Sequence, residues 1–111
     1  MTLRYKGVAE NPENGLRVRL GYSVLAISGD HTVTNQDAQF LHITPSGSNR
    51  NITMPNEAAS QGSFFWIANA SDTHSLVILD SAGGSGPGTI GTEKQYFVVC
   101  DGSAWQVIAV D

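Results

Sequence analysis

The sequence predicts an all-β chain: an antiparallel, jelly-roll-like β-sandwich domain over residues 17–111, preceded by an extended N-terminal arm over residues 1–16. Three observations predict it. Short runs of aromatic, β-branched and other apolar residues recur along the chain, each bounded by Gly, Pro, Asn, Asp or Ser. No segment keeps a helical amphipathic period beyond a single turn. The length of 111 residues suits one domain with one core.

The elements follow in chain order. Residues 1–16 hold Gly7, Asn11-Pro12 and Asn14-Gly15, which is turn chemistry, so the reading is an arm lying on another surface. Residues 17–22 alternate charged and apolar side chains and run on into a strand over 23–27. Ser28, Gly29 and Asp30 form a turn before a short strand at 31–34. A strand over 39–44 leads into the loop 45–49, and the return strand at 51–54 stops at Pro55, which has no N–H for the ladder. Residues 56–62 have helical propensity for one turn at most. Strands at 63–69 and 75–80 are strongly β by composition. Five glycines and Pro87 make 81–91 a long flexible loop. Strands at 95–100 and 105–110 flank Asp101, Gly102, Ser103 and Ala104, a hairpin signal. No repeat of 20–50 residues stands out.

Several strands are apolar on both faces. Phe65 and Ile67 point one way and Phe64 and Trp66 the other; Leu76 and Ile78 oppose Val77 and Leu79; Trp105, Val107 and Ala109 oppose Ile108 and Val110. An antiparallel sheet with one wet face shows polar residues at alternate positions, so these strands call for cover on both sides. The second cover is either another copy of the chain or loops and the arm.

Composition excludes several function classes. Charged residues make up 14%, well below the roughly 25% of ordinary soluble domains, which suits a surface partly covered by a partner or one rich in uncharged polar residues. Residues 1–19 carry Arg4, Lys6, Arg17 and Arg19 against Glu10 and Glu13, while the rest of the chain carries the acidic excess that brings the net charge to −4. An acidic body with four dispersed basic residues makes a poor phosphate track, so no nucleic-acid partner is expected. No run of 18 apolar residues exists and the first residues have no apolar core, so neither a membrane span nor a secretion signal is expected, and the chain reads as made in the cytoplasm. The sequons at Asn51 and Asn69 are then chance matches.

The search for chemistry returns little. Cys100, the single cysteine, lies in an apolar run and reads as a buried, inert thiol. His31, His42 and His74 sit in separate segments without metal-ligand spacing, so no metal or cofactor is expected, and His42 reads as a hydrogen-bonded sheet histidine. Residues 83–88 superficially resemble a phosphate loop but lack the following Lys and helix, and Pro87 removes a donor. The carboxylates fall mostly in turns, at Asp30, Asp72, Asp80 and Asp101. A catalytic residue set is not expected, and the chain reads as a non-enzyme.

One extended pattern remains. A strand closing on Met54-Pro55 is followed by the small-residue linker 58–62, then by the aromatic strand 64–69 closing on Asn69. The Leu76–Leu79 strand and the Gly-rich segment 83–91 come next, then Val98 to Trp105 with Asp101-Gly102 between. This pattern over residues 38–111 resembles the β-sandwich domains of tailed-phage virion proteins, those of tail fibres and of trimeric capsid decoration (cement) proteins. A shaftless chain of this length is more similar to the decoration proteins. The resemblance implies a homotrimer on the capsid exterior of the virion that binds the major capsid protein and stabilises the shell. Under that reading Phe64 and Trp66 belong to the trimer interface, because aromatic anchors dominate such contacts. Arg4, Tyr5, Lys6, Arg17 and Arg19 are the capsid-contact residues, since a basic arm pairs with acidic sites or adds a strand to a sheet edge. The alternative is a receptor- or glycan-binding module of a fibre or baseplate, with Tyr96 and Trp105 exposed to stack on sugar rings.

Overall fold

The computed structural model describes residues 8–11, 15–18 and 21–110, and every described element is a strand or a turn. A hairpin of β1 (Val8–Asn11) and β2 (Gly15–Val18) forms a two-stranded sheet. This departs from the expectation of an arm without strands, since Val8–Asn11 pairs antiparallel with Gly15–Val18.

The body consists of β3 (Tyr22–Ile27), β4 (His31–Thr32), β5 (Phe40–Pro45), β6 (Arg50–Thr53), β7 (Phe64–Asn69), β8 (Leu76–Leu79), β9 (Gly88–Ile90), β10 (Gln95–Cys100) and β11 (Trp105–Ala109). They form a five-stranded sheet in the order β11-β10-β7-β5-β3 and a four-stranded sheet in the order β4-β6-β8-β9. From β3 to β8 the chain changes sheet at every strand. It therefore returns to each sheet running in its previous direction, and β3 pairs parallel with β5, β5 with β7, β4 with β6, and β6 with β8. Only the last segment turns back: β9 is antiparallel to β8, and β10 is antiparallel to both β7 and β11.

The two-layer all-β expectation thus stands in coarse form, and the antiparallel, jelly-roll-like pairing is corrected. The chain winds as a coil of three turns closed by an antiparallel cap. Its repeat escapes sequence inspection because the turns are unequal: Tyr22 lies opposite Phe40, and Phe40 opposite Trp66. The segment read as one flexible loop, 81–91, contains β9. The Asp101-Gly102 turn does join β10 to β11, with Cys100 opposite Trp105 and Gly102 at a positive φ of 96°.

Strict alternation builds the core. Leu41 and Ile43 of β5, Phe65 and Ile67 of β7, and Val98 and Cys100 of β10 point inward from the larger sheet. Ile52, Leu76, Ile78 and Ile90 meet them from the smaller one, with Met54 and Val33 beside them. Cys100 is buried, as its apolar run indicated. At roughly 1.5–3 kcal/mol for each fully buried large side chain, this layer is the main stabilising term.

Polar side chains tie each turn of the coil to the next at its corners. Asp30 accepts the Asn51 N–H at 2.9 Å, and Asn49 Oδ1 accepts the Ser75 N–H at 2.8 Å. On the opposite corner Asn35 Nδ2 donates to Ser60 Oγ at 2.9 Å. Asn69, buried at the end of β7, does the most. Its Nδ2 donates to the carbonyls of His74 at 2.9 Å, Gly91 at 3.1 Å and Ile90 at 3.3 Å, while its Oδ1 accepts the Ser71 N–H at 3.0 Å. One side chain thereby closes the β7–β8 turn and holds the edge of β9.

Replacing Asn69 by Leu leaves those buried backbone groups without partners at nearly constant volume. The expected loss is about 3 kcal/mol of unfolding free energy, since each buried unsatisfied group costs about 1–3 kcal/mol. Urea unfolding checks it; a loss under about 0.5 kcal/mol would show that the corner does not depend on this amide.

Candidate functional site: the outer face of the five-stranded sheet

The residues that alternate with the core on the larger sheet form its outer face, and the register aligns them in rows. Tyr22 lies opposite Phe40, Phe40 opposite Trp66, Trp66 opposite Phe97, and Phe97 opposite Ile108, one residue from each of the five strands. The rings touch in sequence, with centroids 4.9 Å apart for Tyr22–Phe40, 4.6 Å for Phe40–Trp66 and 5.4 Å for Trp66–Phe97. Phe64 adds an edge-to-face contact with Phe97 at 5.9 Å. Such pairs contribute about 0.5–1.5 kcal/mol beyond their buried area, so the row stiffens the sheet as well as coating it.

A second row runs Val24, His42, Ala68 and Gln95, and Val110 follows at its end through its N–H to the Gln95 carbonyl at 3.2 Å. Trp66 Nε1 donates to Gln95 Oε1 at 3.0 Å, so the indole's one polar atom is satisfied on its own sheet. None of these positions carries Asp, Glu, Lys or Arg. Val24 is 63% exposed, Tyr22 59% and Ile108 51%. Five strands at about 4.8 Å spacing and about 17 Å in length give roughly 400 Å² of face, the size at which an apolar patch on a monomer marks an interaction site. The smaller sheet differs: its outward residues Thr32, Asn51, Thr53 and Thr89 are polar, with only Val77 and Leu79 apolar.

Phe64 and Trp66, singled out from sequence, both lie on this outer face, half-buried by their ring neighbours, while Phe65 and Ile67 enter the core. Sequence reasoning missed Tyr22, Phe40, Phe97 and Ile108. Each was visible as an apolar residue on a strand, but their alignment depends on parallel pairings that alternation does not reveal. Of the arm residues, Arg4, Tyr5, Lys6 and Arg19 lie outside the described residues, and Arg17 stands on β2 opposite Ala9.

Two expectations are corrected. Trp105 does not offer an exposed stacking surface: it is 2% exposed, packs against Phe65 at 5.9 Å, and donates from Nε1 to the Pro55 carbonyl at 2.9 Å. Tyr96 packs half-buried against the core. His42 is not a hydrogen-bonded sheet histidine: its Nδ1 is buried and has no hydrogen-bond partner among the described residues.

Two concavities flank the sheets. One, of about 370 Å³, is bordered by Glu57, Asp80, Ser81, Pro87, Trp105 and Gln106. Both of its carboxylates are occupied in holding turns. Glu57 accepts the backbone N–H of Ser81 at 2.9 Å and also its hydroxyl, and Asp80 accepts the N–H groups of Ala82 at 3.0 Å and Gly84 at 2.7 Å. The other, of about 610 Å³, opens beside Tyr22, Phe64 and residues 35–39, at the rim of the aromatic row. Among the described residues no group of three or more His, Cys, Asp or Glu could hold a metal ion, and no helix is long and apolar enough to cross a membrane. Compared with family models, curated proteins and solved structures, the chain gives no match.

Hydrogen bonds from the Ser81 hydroxyl and N–H hold the Glu57 carboxyl below its ordinary value of 4.5, and the N–H groups of Ser103 and Ala104 hold Asp101 below 3.8. Lowered folded values mean that the stabilisation is present above those ordinary values and is lost as pH falls through the folded ones. The melting temperature of the wild type is expected to fall more steeply below about pH 4.5 than that of a Glu57→Gln, Asp101→Asn double variant. Parallel slopes in thermal scans down to about pH 3 would contradict this.

Proposed function

We propose that this chain is a non-enzymatic structural module that assembles with copies of itself through the outer face of its five-stranded sheet. In this reading it serves as a capsid decoration (cement) protein on the exterior of a tailed-phage virion. The observation that carries it is the uncharged, aromatic face: a row of rings across four strands continued by Ile108 on the fifth, exposed at Tyr22 and Ile108, on a chain whose other sheet presents mostly polar residues. An enzyme or small-molecule binder concentrates chemistry in a concavity, whereas here the unusual surface is flat and apolar. The face itself requires only another copy; the threefold and the virion come from the resemblance over residues 38–111.

The homotrimer turns three such faces toward a common axis, with Phe64 and Trp66 as central anchors. Tyr5 and the basic residues Arg4, Lys6, Arg17 and Arg19 then contact the phage major capsid protein, whose subunits the trimer clamps together. No cofactor, nucleic acid or membrane takes part. A second reading, a module of a tail fibre, is favoured by the parallel coil, because parallel turns extend by stacking further turns on an open end.

Light scattering at micromolar concentration is expected to give three times the 11.8 kDa chain mass, and a clean monomer would defeat the proposal. Ile108 is exposed, so Ile108→Asp should fold normally yet weaken assembly by at least about tenfold through a charge buried at the interface. Normal assembly of that variant would move the interface elsewhere. Deletion of residues 2–15 is expected to abolish capsid binding while leaving the body folded, as judged by capsid co-sedimentation and circular dichroism. Immuno-electron microscopy of the parent virion separates the two readings: label on the shell supports the decoration protein, and label on the tail supports the fibre.

A further inference from the structure

The outer face contains one group able to gain charge near neutrality, His42, and we infer that protonation of this residue dissolves the assembly, making acid a release signal. The inference rests on the self-association proposed above and adds its regulation. His42 sits in the middle strand of the sheet, β5, between Val24 of β3 and Ala68 of β7. On this face its neighbours by register are Val24 and Ala26 of β3, Phe40 and Thr44 of β5, and Trp66 and Ala68 of β7, with Tyr22, Gln95 and Phe97 beyond them. Tyr22 is the only other titratable group among them.

The nearest charged residues along the chain lie off the face. Asp37 stands at its rim, beside Tyr22 and Phe64, where its carboxylate accepts the Thr34 N–H at 2.7 Å. Arg50 opens β6 of the other sheet and donates to the Ser46 carbonyl at 2.8 and 3.0 Å, Asp30 accepts from Asn51, and Glu93 and Lys94 precede β10. Among the described residues, the rows of this face therefore bring no carboxylate from a second copy to meet an imidazolium. Symmetry decides the sign: copies placed face to face set His42 among uncharged side chains, where a positive charge is strongly disfavoured.

Within one chain Nδ1 of His42 is buried and no described residue meets it, so no acceptor among the described residues is in place to hold an imidazolium there in the assembly. His31 and His74 lie elsewhere, on β4 of the other sheet and in the β7–β8 turn, and provide internal controls.

The test is size-exclusion chromatography with light scattering at about pH 8 and about pH 5.5, where an ordinary imidazole is roughly tenfold more charged than neutral. The acid condition stays above the ordinary carboxylate values of 4.5 and 3.8, so the Glu57 and Asp101 turns remain intact. The wild type is expected to fall from three times the chain mass to one, with about tenfold weaker association per copy and an unchanged near-ultraviolet circular dichroism spectrum. His42→Gln is expected to stay assembled at both values, and His31→Gln and His74→Gln to dissociate like the wild type. Should His42→Gln fail to assemble at about pH 8, His42→Leu is measured in its place, again with assembly expected at both values. A wild type assembled at both values overturns this inference and leaves the self-association standing, as does acid dissociation that persists in the His42 variants. A wild type that is monomeric at about pH 8 overturns both.

Discussion

The inward face of the coil is the constraint from which the rest of this molecule follows. A chain that changes sheet at every strand places alternate residues between the layers, and between those layers stand Leu41, Ile43, Ile52, Ile67, Leu76, Ile78, Ile90 and Val98, all essentially inaccessible to water. One-residue slippage in any of these strands would exchange a buried aliphatic residue for an outward one such as His42 or Thr53, so the core fixes the register of the six strands from β5 to β10. Once register is fixed, the composition of the outer face is no longer a matter of stability alone. Tyr22, Phe40, Trp66, Phe97 and Ile108 are brought into line because, beneath them, Leu41 lies opposite Ile67 and Phe65 opposite Val98.

The corners explain the unusual composition. A coil must turn between its sheets several times, and each turn exposes backbone N–H and C=O groups that no ladder pairs. Here short polar side chains supply the partners: Asp30 for Asn51, Asn49 for Ser75, Asn35 with Ser60, and Asn69 for three carbonyls at once. Such residues perform a structural task that long charged side chains perform badly, because they bond locally with little entropy to lose. The low charged fraction of 14% thus has an internal cause, and a covered surface is not needed to account for all of it.

What the sequence made legible follows from which physics is local. Strand identity was readable because composition and alternation act within five or six residues: the strands at 64–69, 76–79, 95–100 and 105–109 fall where those signals stand. The β10–β11 hairpin was readable because Asp101-Gly102 encodes its own turn. Strand direction was not readable, because it depends on which sheet the intervening corner leads to, and nothing in residues 45–49 announces that the chain crosses to the other layer. The doubly apolar strands were a partial clue, since parallel strands covered on both faces also read as unbroken apolar runs. β9 was hidden in its glycines and is defined by its partner β8 more than by its own residues. Of the candidate site, Phe64 and Trp66 were found by parity alone, whereas Tyr22 and Ile108, at the two edges of the sheet, needed the topology.

The two outer faces carry the functional argument further than either does alone. Both sheets obey the same inward rule, yet only one shows rings outside; the other shows mostly Thr and Asn there, with Val77 and Leu79 as its apolar pair. If doubly apolar strands were merely the by-product of parallel coiling, both faces would be coated alike. The difference localises the surplus to the five-stranded sheet, which the antiparallel cap widens by β10 and β11 and to which that cap contributes Phe97 and Ile108. The cap therefore closes the coil and at the same time broadens the aromatic face. In such a face the polar exceptions are the informative residues. Gln95 is accounted for by its bond to the Trp66 indole, which keeps the ring's N–H satisfied in an apolar setting. His42, on the middle strand and with Nδ1 buried, is a polar exception that no hydrogen bond among the described residues explains.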